Sequence, residues 1–125
     1  MKPSIVKDKS YSFALRIIAL TKWLREQKKF EIARQVLRSG TAIGSNVEEA
    51  LAGISRADFT AKMSIASKEA RETHYWLRLL RDSKIVPESE IKSLASESLE
   101  LIRILTAIVK TSQTSSPNSK LKTKN

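Results

Sequence analysis

Residues 38–75 read RSGTAIGSNVEEALAGISRADFTAKMSIASKEARETHY, which predicts the second half of one helix, a tight corner and most of a longer helix. Gly40 and Gly44 lie on the apolar seam of the first of these helices. Each Gly costs about 1 kcal/mol of helix propensity relative to Ala. Close approach of the backbone of a neighbouring helix would explain that cost, and a local kink is the alternative explanation.

The corner between the two helices has its own signals. Gly53 suits the residue just past a helix end, where the left-handed conformation is common. Ser55 begins a sequence similar to a capping box, with Asp58 in place of the usual Glu. Together with the apolar residues on either side, these signals predict one helix over about residues 30–52 and a second over about 56–84.

Apolar residues recur at helical spacing on both sides of this segment. They predict a first helix over about residues 10–27 and a fourth over about 88–111, the latter beginning after Pro87. The short connections place consecutive helices antiparallel. The sequence therefore predicts an all-α fold, with an N-terminal arm at 1–9, an antiparallel up-down-up-down four-helix bundle at 10–112 and a disordered basic C-terminal tail at 113–125.

Composition narrows the class of protein. The chain has 125 residues, enough for one domain, and it contains no Cys, which excludes disulfides and thiolate metal sites. The amino terminus lacks a hydrophobic signal core and no apolar run approaches membrane-spanning length, so we expect a cytoplasmic protein without a membrane partner. The net charge of +10 favours an anionic partner, most often nucleic acid. Basic tails that only aid solubility are the alternative.

Two helices carry more apolar surface than a lone bundle needs. On the third helix, Ile65, Trp76 and Leu79 extend the apolar arc well round the cylinder. We expect these surplus faces to be contacts between identical subunits, which predicts a homo-oligomer. A third helix tightly enclosed by its own chain is the alternative. On the first helix, the second apolar set comprises Tyr11, Ala14, Leu15 and Ile18.

Polar residues on the second and third helices predict a structural network. Glu69 and Glu72 fall within the apolar arc of the third helix, where carboxylates without partners would be expensive. Arg34 and Arg38 are the nearest cations by layer. We therefore predict an ion and hydrogen-bond network that fixes helix register or subunit contacts. Its predicted members are Arg34, Arg38, Ser45, Asn46, Glu49, Glu69 and Glu72.

No group of residues indicates catalysis. His74 is the only His, and Arg71 stands three positions before it, so the Glu-x-x-His motif of di-metal bundles is missing. Glu48 and Glu49 are adjacent and point about 100° apart on a helix, so they cannot serve one bond jointly. A Ser or Lys nucleophile would lack an orienting base. We therefore predict no enzymatic activity, no metal and no cofactor, and we place His74 at the surface or in a subunit interface.

Basic residues predict contacts with nucleic acid. Lys68, Arg71 and Arg78 share the outer face of the third helix, with Tyr75 between them. Cations at this spacing contact phosphates, and an aromatic ring offers a base a stacking surface. A charged outer face is also the default for any helix. The predicted nucleic-acid-binding residues are Lys68, Arg71, Tyr75, Arg78 and Arg81 on the third helix, and Lys22, Arg25, Lys28 and Lys29 at the end of the first.

The run QVLRSGTAIGSNVEEA at residues 35–50 resembles the signature of the 23S rRNA intervening sequence proteins. SRADF at 55–59, IASKEARET at 65–73 and YWL at 75–77 also match the pattern of that family, and the resemblance covers about residues 5–112. It implies a four-helix bundle that assembles into a ring, pentameric in known members, without catalytic residues. A related branch accompanies the reverse transcriptases of diversity-generating retroelements and binds nucleic acid.

From the residues and the resemblance together, we predict a non-enzymatic, homo-oligomeric four-helix-bundle protein that binds nucleic acid through basic surfaces. The residues alone leave RNA and DNA open, and the resemblance favours RNA. It also implies a nucleic-acid enzyme, such as a reverse transcriptase, as a further partner. The alternative is a protein-interaction scaffold, or an accessory subunit of a nucleic-acid enzyme, that makes no direct contact with nucleic acid.

Overall fold

The computed structural model describes residues 3–115 of the chain. In that range it contains four helices and no strand, so the prediction of an all-α four-helix bundle is confirmed. The helices are α1 (Pro3–Glu26), α2 (Phe30–Leu51), α3 (Arg56–Asp82) and α4 (Glu88–Ser115).

Contacts between neighbouring helices show an antiparallel arrangement, because residue numbers rise along one helix while they fall along the next. Ile17 and Ser10 of α1 lie against positions 40 and 44 of α2. The helices α1 and α4 are also antiparallel, since Lys9 contacts Glu100 while Arg16 contacts Ser93, and they make the smallest helix–helix contact of the bundle. The other contacts that show it are Glu49 with Lys62, Arg38 with Glu72, Arg71 with Thr106, and His74 with Ser98.

All four helices contribute to one apolar core. At Gly44 of α2, a Cβ would come into ordinary van der Waals contact with the backbone of α1, 3.5 Å from the carbonyl oxygen of Ser10. The backbones of α1 and α2 therefore approach closely at this point, and α2 continues through both of its Gly residues as one helix. The largest fully buried side chains are those of Phe13, Ile17, Leu24, Ile43, Met63, Leu77, Leu80, Ile91, Leu101 and Leu105.

The first helix begins earlier than predicted. Residues 3–9 belong to α1, so the prediction of an irregular arm over residues 1–9 is wrong for these positions, while residues 1–2 lie outside the described range. Val6 and Ser10 are both fully buried, and they extend the core-facing side of α1 by about two turns on the N-terminal side of Phe13. Burial of these additional turns explains why the helix starts near residue 3.

The fourth helix continues beyond its predicted end at residue 111. It runs to Ser115. In this last part of the helix, Ser112 is buried and its hydroxyl forms a hydrogen bond with the hydroxyl of Thr60 on α3. The predicted tail over residues 113–125 is therefore helical at its start, and the rest of that tail, 116–125, lies outside the described residues.

The corner before α3 has the predicted N-cap and a different role for its Gly. Ser55 accepts a hydrogen bond at Oγ from the backbone N–H of Asp58, at 3.0 Å, as expected of an N-cap. The prediction of a left-handed Gly53 is wrong, since no Gly within residues 3–115 has a positive φ. Gly53 instead makes room for Asp58, whose carboxylate would collide with a Cβ at position 53. Among the described residues, the left-handed conformation occurs at Lys28 (φ 62°) and Lys84 (φ 63°).

Candidate nucleic-acid interface

The outer surface shared by α3 and α4 is basic. Arg71 on α3 donates a hydrogen bond from Nη2 to Oγ1 of Thr106 on α4, at 3.0 Å. Arg103 and Lys110 lie about one turn before and after Thr106, so both line the same side of α4. We call this surface the α3–α4 basic face. Its members, all exposed, are Lys68, Arg71, Tyr75, Arg78, Arg103, Thr106 and Lys110.

Four carboxylates of α3 and α4 form salt bridges with cations on α1 or α2. Among residues 3–115, no salt bridge joins a carboxylate to any of the cations of the α3–α4 basic face. Those cations therefore have no directly bonded carboxylate partner, although the charge of Lys68 acts on nearby Glu72 and that of Arg78 on nearby Asp82. The pairs that draw carboxylates toward α1 and α2 are Arg38 with Glu69 and Glu72, Arg16 with Glu97, and Lys9 with Glu100.

Tyr75 places an aromatic ring among these cations. Its side chain is 48% exposed. The guanidinium carbon of Arg78 lies over the ring, 5.8 Å from its centroid, and the indole of Trp76 packs edge-on with a centroid separation of 5.4 Å. The ring thus lies next to a cation and a second aromatic side chain while about half of its surface stays open to solvent.

Arg81, also a predicted binding residue, is less available for contact with a phosphate, because it is paired with a carboxylate. Its Nε donates a hydrogen bond to Oδ1 of Asp82 at 2.8 Å. This hydrogen bond and the charge of Arg81 hold the pKa of the Asp82 carboxyl below its usual value. The charge of Arg81 is therefore largely compensated by its neighbour, and Arg81 adds less positive potential than the other predicted cations of α3.

The remaining predicted binding residues form a second basic surface, the α1–α2 corner cluster. Lys22 and Arg25 lie on the last turns of α1, and Lys28 and Lys29 lie between α1 and α2. All four are exposed, and none takes part in a salt bridge within the described part of the chain. Lys22 and Arg25 line a shallow cavity of about 630 Å³ whose apolar wall includes Ile18 and Leu37.

The structure brings together three of the residues predicted to form a polar network. Arg38 on α2 donates to both carboxylate oxygens of Glu69, at 3.2 Å each, and to Glu72. The indole Nε1 of Trp76 donates to Glu72 as well, at 3.0 Å. The hydrogen bonds from Arg38 and Trp76 hold the pKa of the Glu72 carboxyl below its usual value. This cluster fixes α2 against α3 and also positions Trp76.

The other predicted network members make separate, mostly local contacts. Contrary to the prediction, Arg34 does not join Arg38, because its Nη2 donates to Glu31 on the preceding turn at 2.8 Å. Ser45 and Asn46 both donate to the carbonyl of Ala42, at 3.2 and 2.8 Å. Glu49 accepts a hydrogen bond from Lys62 of α3 at 2.9 Å.

Within the single chain, the surplus apolar faces on α1 and α3 remain uncovered. On α1, Tyr11, Leu15 and Ile18 are 59%, 54% and 48% exposed. On α3, Ile65 and Leu79 are also exposed, and Trp76 beside them is half-buried. The alternative of a third helix enclosed by its own chain therefore does not hold for Ile65 and Leu79. We refer to these two sets as the α1 apolar face and the α3 apolar face.

The sequence profile of the family described as 23S rRNA-intervening sequence protein matches residues 2–107, most of the chain. The chain belongs to this family. Its structure is similar to the crystal structure of a protein with unknown function from the S23 ribosomal protein family of Bacteroides thetaiotaomicron, with a TM-score of 0.84 and 48% sequence identity over 89% of this chain and 100% of that one. No curated protein matches the chain.

Three members of the α3–α4 basic face in this 23S rRNA-intervening sequence family protein were not predicted from its sequence. Arg103, Thr106 and Lys110 belong to α4, and only their register against Arg71 shows that they join the basic residues of α3. A signal was present, since Arg103 and Lys110 are seven residues apart, a spacing that returns to nearly the same helix face.

His74 is half-buried where α3 packs on α4 of this family member, and its predicted place at the surface or in a subunit interface stays a prediction. Its Nδ1 is 2.9 Å from Oγ of the buried Ser98, so the imidazole links α3 to α4. Burial lowers the pKa of His74, and the charges of Arg78 and Arg81 lower it further. The imidazole is therefore held in its neutral form as a packing and hydrogen-bonding group.

Within residues 3–115, no three His, Asp or Glu side chains come together in a way that would hold a metal ion. Over the same range, every helix is too short or too polar to cross a bilayer.

Proposed function

We propose that this protein is a non-enzymatic, nucleic-acid-binding member of its family that acts in the cytoplasm as a homo-oligomeric ring, with RNA as its ligand. The α3–α4 basic face carries this proposal. It combines five cations that have no carboxylate partner among residues 3–115 with the exposed ring of Tyr75. Such cations bind phosphates by releasing counterions, without regard to base sequence. The family description, which refers to 23S rRNA, supports RNA over DNA.

Assembly follows from the two uncovered apolar faces. They lie on different helices, so the contact that covers both joins unlike surfaces of two copies. Contacts of this heterologous kind close into a ring when the rotation between neighbours permits. We propose that the α1 apolar face of one subunit packs on the α3 apolar face of the next, with five copies as the number implied by the family resemblance. A ring would repeat each basic surface and strengthen the positive field that attracts nucleic acid.

Binding is tested with two double variants that remove the same charge from different surfaces. Arg71→Ala/Arg78→Ala removes two cations of the α3–α4 basic face. The control, Arg34→Ala/Arg56→Ala, removes two exposed cations elsewhere on the bundle. We expect the first variant to bind a fluorescent RNA oligonucleotide at least about tenfold more weakly than the control, with the wild-type affinity falling steeply between 50 and 200 mM salt. Equal affinities for the two variants, or a wild-type affinity that does not change with salt, would contradict the proposal.

Assembly is tested by measuring mass in solution with light scattering. The wild-type chain is expected to give several times the monomer mass of 14.1 kDa. Leu15→Glu places a charge in the α1 apolar face and is expected to yield monomers. Ile54→Glu, at a fully exposed position of the α2–α3 corner, is expected to leave the oligomer intact. A wild-type monomer, or identical masses for the two variants, would rule out the proposed contact.

One observation favours a second candidate function, an accessory subunit that docks on a nucleic-acid enzyme such as a reverse transcriptase. A groove of about 480 Å³ opens between α1 and the start of α4, and Leu20, Trp23, Val86 and Leu94 give it an apolar lining. Pull-down after nuclease treatment separates the two functions. Recovery of one protein partner, lost in a Trp23→Glu variant, together with absence of RNA binding would favour the accessory role.

A further inference from the structure

The ring of Tyr75 is an aromatic surface that the bundle leaves about half exposed. It is not among the buried core residues, and the Arg78 guanidinium and the Trp76 indole of its own helix lie beside it. Trp76 is in turn fixed by its hydrogen bond to Glu72, which is held by Arg38 of α2. This chain of contacts orients the ring before any ligand arrives, so little conformational entropy would be lost when a flat group stacks on it.

Cations border the ring on both sides along α3. Arg71 lies one turn before Tyr75 and Arg78 about one turn after it, so all three side chains share one face of the helix. The hydrogen bond from Arg71 to Thr106 fixes the Arg71 side chain between Arg103 and Lys110 of α4. A nucleic-acid strand that lies along this face can therefore place phosphates on the cations and a base on the ring at the same time.

An exposed aromatic ring among cations suits a single strand better than a duplex. Inside a duplex the faces of the bases are covered by stacking, and a ring on the convex surface of a helix reaches only the backbone and the base edges. In a single strand the base faces are free, and stacking on aromatic side chains combined with a groove of cations is the usual mode of binding. A surface that bound only duplexes could do so through contacts between its cations and the phosphates, without an exposed aromatic ring.

We propose that the α3–α4 basic face binds single-stranded nucleic acid, with Tyr75 as the platform on which one base stacks between the cations Arg71 and Arg78. This inference rests on the proposed nucleic-acid-binding function and adds the strandedness of the ligand and the role of one residue. A duplex bound through its phosphates alone is the opposing outcome.

The test compares Tyr75→Leu with Tyr75→Phe in the full chain. The probes are a fluorescent 15-nucleotide oligouridine, which forms no stable pairs with itself, and a 15-base-pair RNA duplex. Loss of a base–aromatic stack weakens single-strand binding by roughly 5- to 150-fold. We expect Tyr75→Leu to show a loss in this range for the oligouridine and less than about a twofold change for the duplex. Tyr75→Phe keeps the ring and should bind both probes like the wild type.

Trp76 supplies a second readout that does not depend on affinity. The chain has two Trp residues, so Trp23→Phe leaves Trp76 as the only one. Because Trp76 packs edge-on against Tyr75, a base that stacks on Tyr75 should change the Trp76 emission. Oligouridine is expected to change it and duplex RNA is not. Circular dichroism of each variant confirms that the helices are intact.

The outcomes separate this inference from the function on which it rests. If Tyr75→Leu binds oligouridine as well as the wild type while Arg71→Ala/Arg78→Ala binds it weakly, the face binds phosphates only, and the stacking role is wrong. If the wild type prefers the duplex, the single-strand assignment is wrong although nucleic-acid binding stands. If the wild type binds neither RNA, both the proposed function and this inference fail.

Discussion

Ile17 of α1 occupies the space that a side chain at Gly40 of α2 would need. A Cβ at position 40 would lie 2.7 Å from Cγ2 and 2.9 Å from Cγ1 of Ile17, whose own side chain is fully buried. Ala would gain about 1 kcal/mol of helix propensity, but overpacking a closed core site costs about 1–3 kcal/mol. We expect Gly40→Ala to lower the free energy of unfolding by about 1 kcal/mol, measured by urea denaturation.

Gly44→Ala is the matched control on the same helix. The atoms nearest to a Cβ at position 44 are Oγ and the carbonyl oxygen of Ser10, at 3.4 and 3.5 Å, which are ordinary contact distances. The gain in helix propensity is therefore opposed by little strain. We expect Gly44→Ala to be neutral or to stabilise the chain by up to about 1 kcal/mol. Equal losses in the two variants would show that α1 does not constrain position 40 in particular.

Lys28 holds a left-handed conformation at the end of α1, with φ at 62°. Its N–H donates to the carbonyl of Arg25 and the N–H of Lys29 donates to that of Leu24, the hydrogen-bond pattern in which Gly is usual. Because a Cβ is unfavourable in this conformation, we expect Lys28→Gly to raise the free energy of unfolding by about 1 kcal/mol. Lys28→Ala removes the same charge but keeps the Cβ, so it should give no such gain. A gain of equal size from Lys28→Ala would assign the effect to charge instead.

The fold was largely predictable from the sequence, because four apolar patterns of helical period joined by short connections allow few other arrangements. The parts of the fold that the sequence did not predict were missed for specific physical reasons. The first turns of α1 contain the polar run Lys7, Asp8 and Lys9, and only Val6 and Ser10 carry the buried side of the helix. A buried Ser is invisible to a search for apolar periodicity. The left-handed corner at Lys28 is likewise invisible, since local preference would place Gly there.

The candidate site was only half predictable. Lys68, Arg71 and Arg78 lie on one helix, so their common face follows from their spacing alone. The contribution of α4 depends on how α4 is shifted along α3, which single-helix patterns do not contain. The hydrogen bond between Arg71 and Thr106 supplies that register. Ion-pair partners across helices depend on side-chain reach as well, which is why Arg38 meets Glu69 and Glu72 while Arg34 does not.

A buried pair of hydroxyl groups joins α2 to α3. The hydroxyls of Ser39 and Thr73 are 2.9 Å apart, and that of Thr73 also donates to the carbonyl of Glu69 at 2.8 Å. Thr73→Val would leave the fully buried Ser39 hydroxyl without this partner, which costs about 1–3 kcal/mol. Ser39→Ala leaves Thr73 bonded to Glu69, so a loss of only about 0.5–1.5 kcal/mol is expected. Urea denaturation of both variants, and of the double variant, checks the order. Ser39→Ala should rescue part of the loss in Thr73→Val, and strictly additive losses would show that the two hydroxyls are not coupled.

His74 makes stability depend on pH near neutrality. Burial, aided by the charges of Arg78 and Arg81, lowers the pKa of His74 in the folded chain below its value of about 6.5 in the unfolded chain. As the pH falls through that value, the unfolded chain binds the proton first, so stability is lost and levels off only below the folded-state pKa. The urea midpoint of the wild type should therefore be lower at pH 5.5 than at pH 7.5. His74→Gln does not titrate, and since His74 is the only His of the chain, its midpoint should change less over this interval. An equal change in both proteins would show that other groups cause the pH dependence.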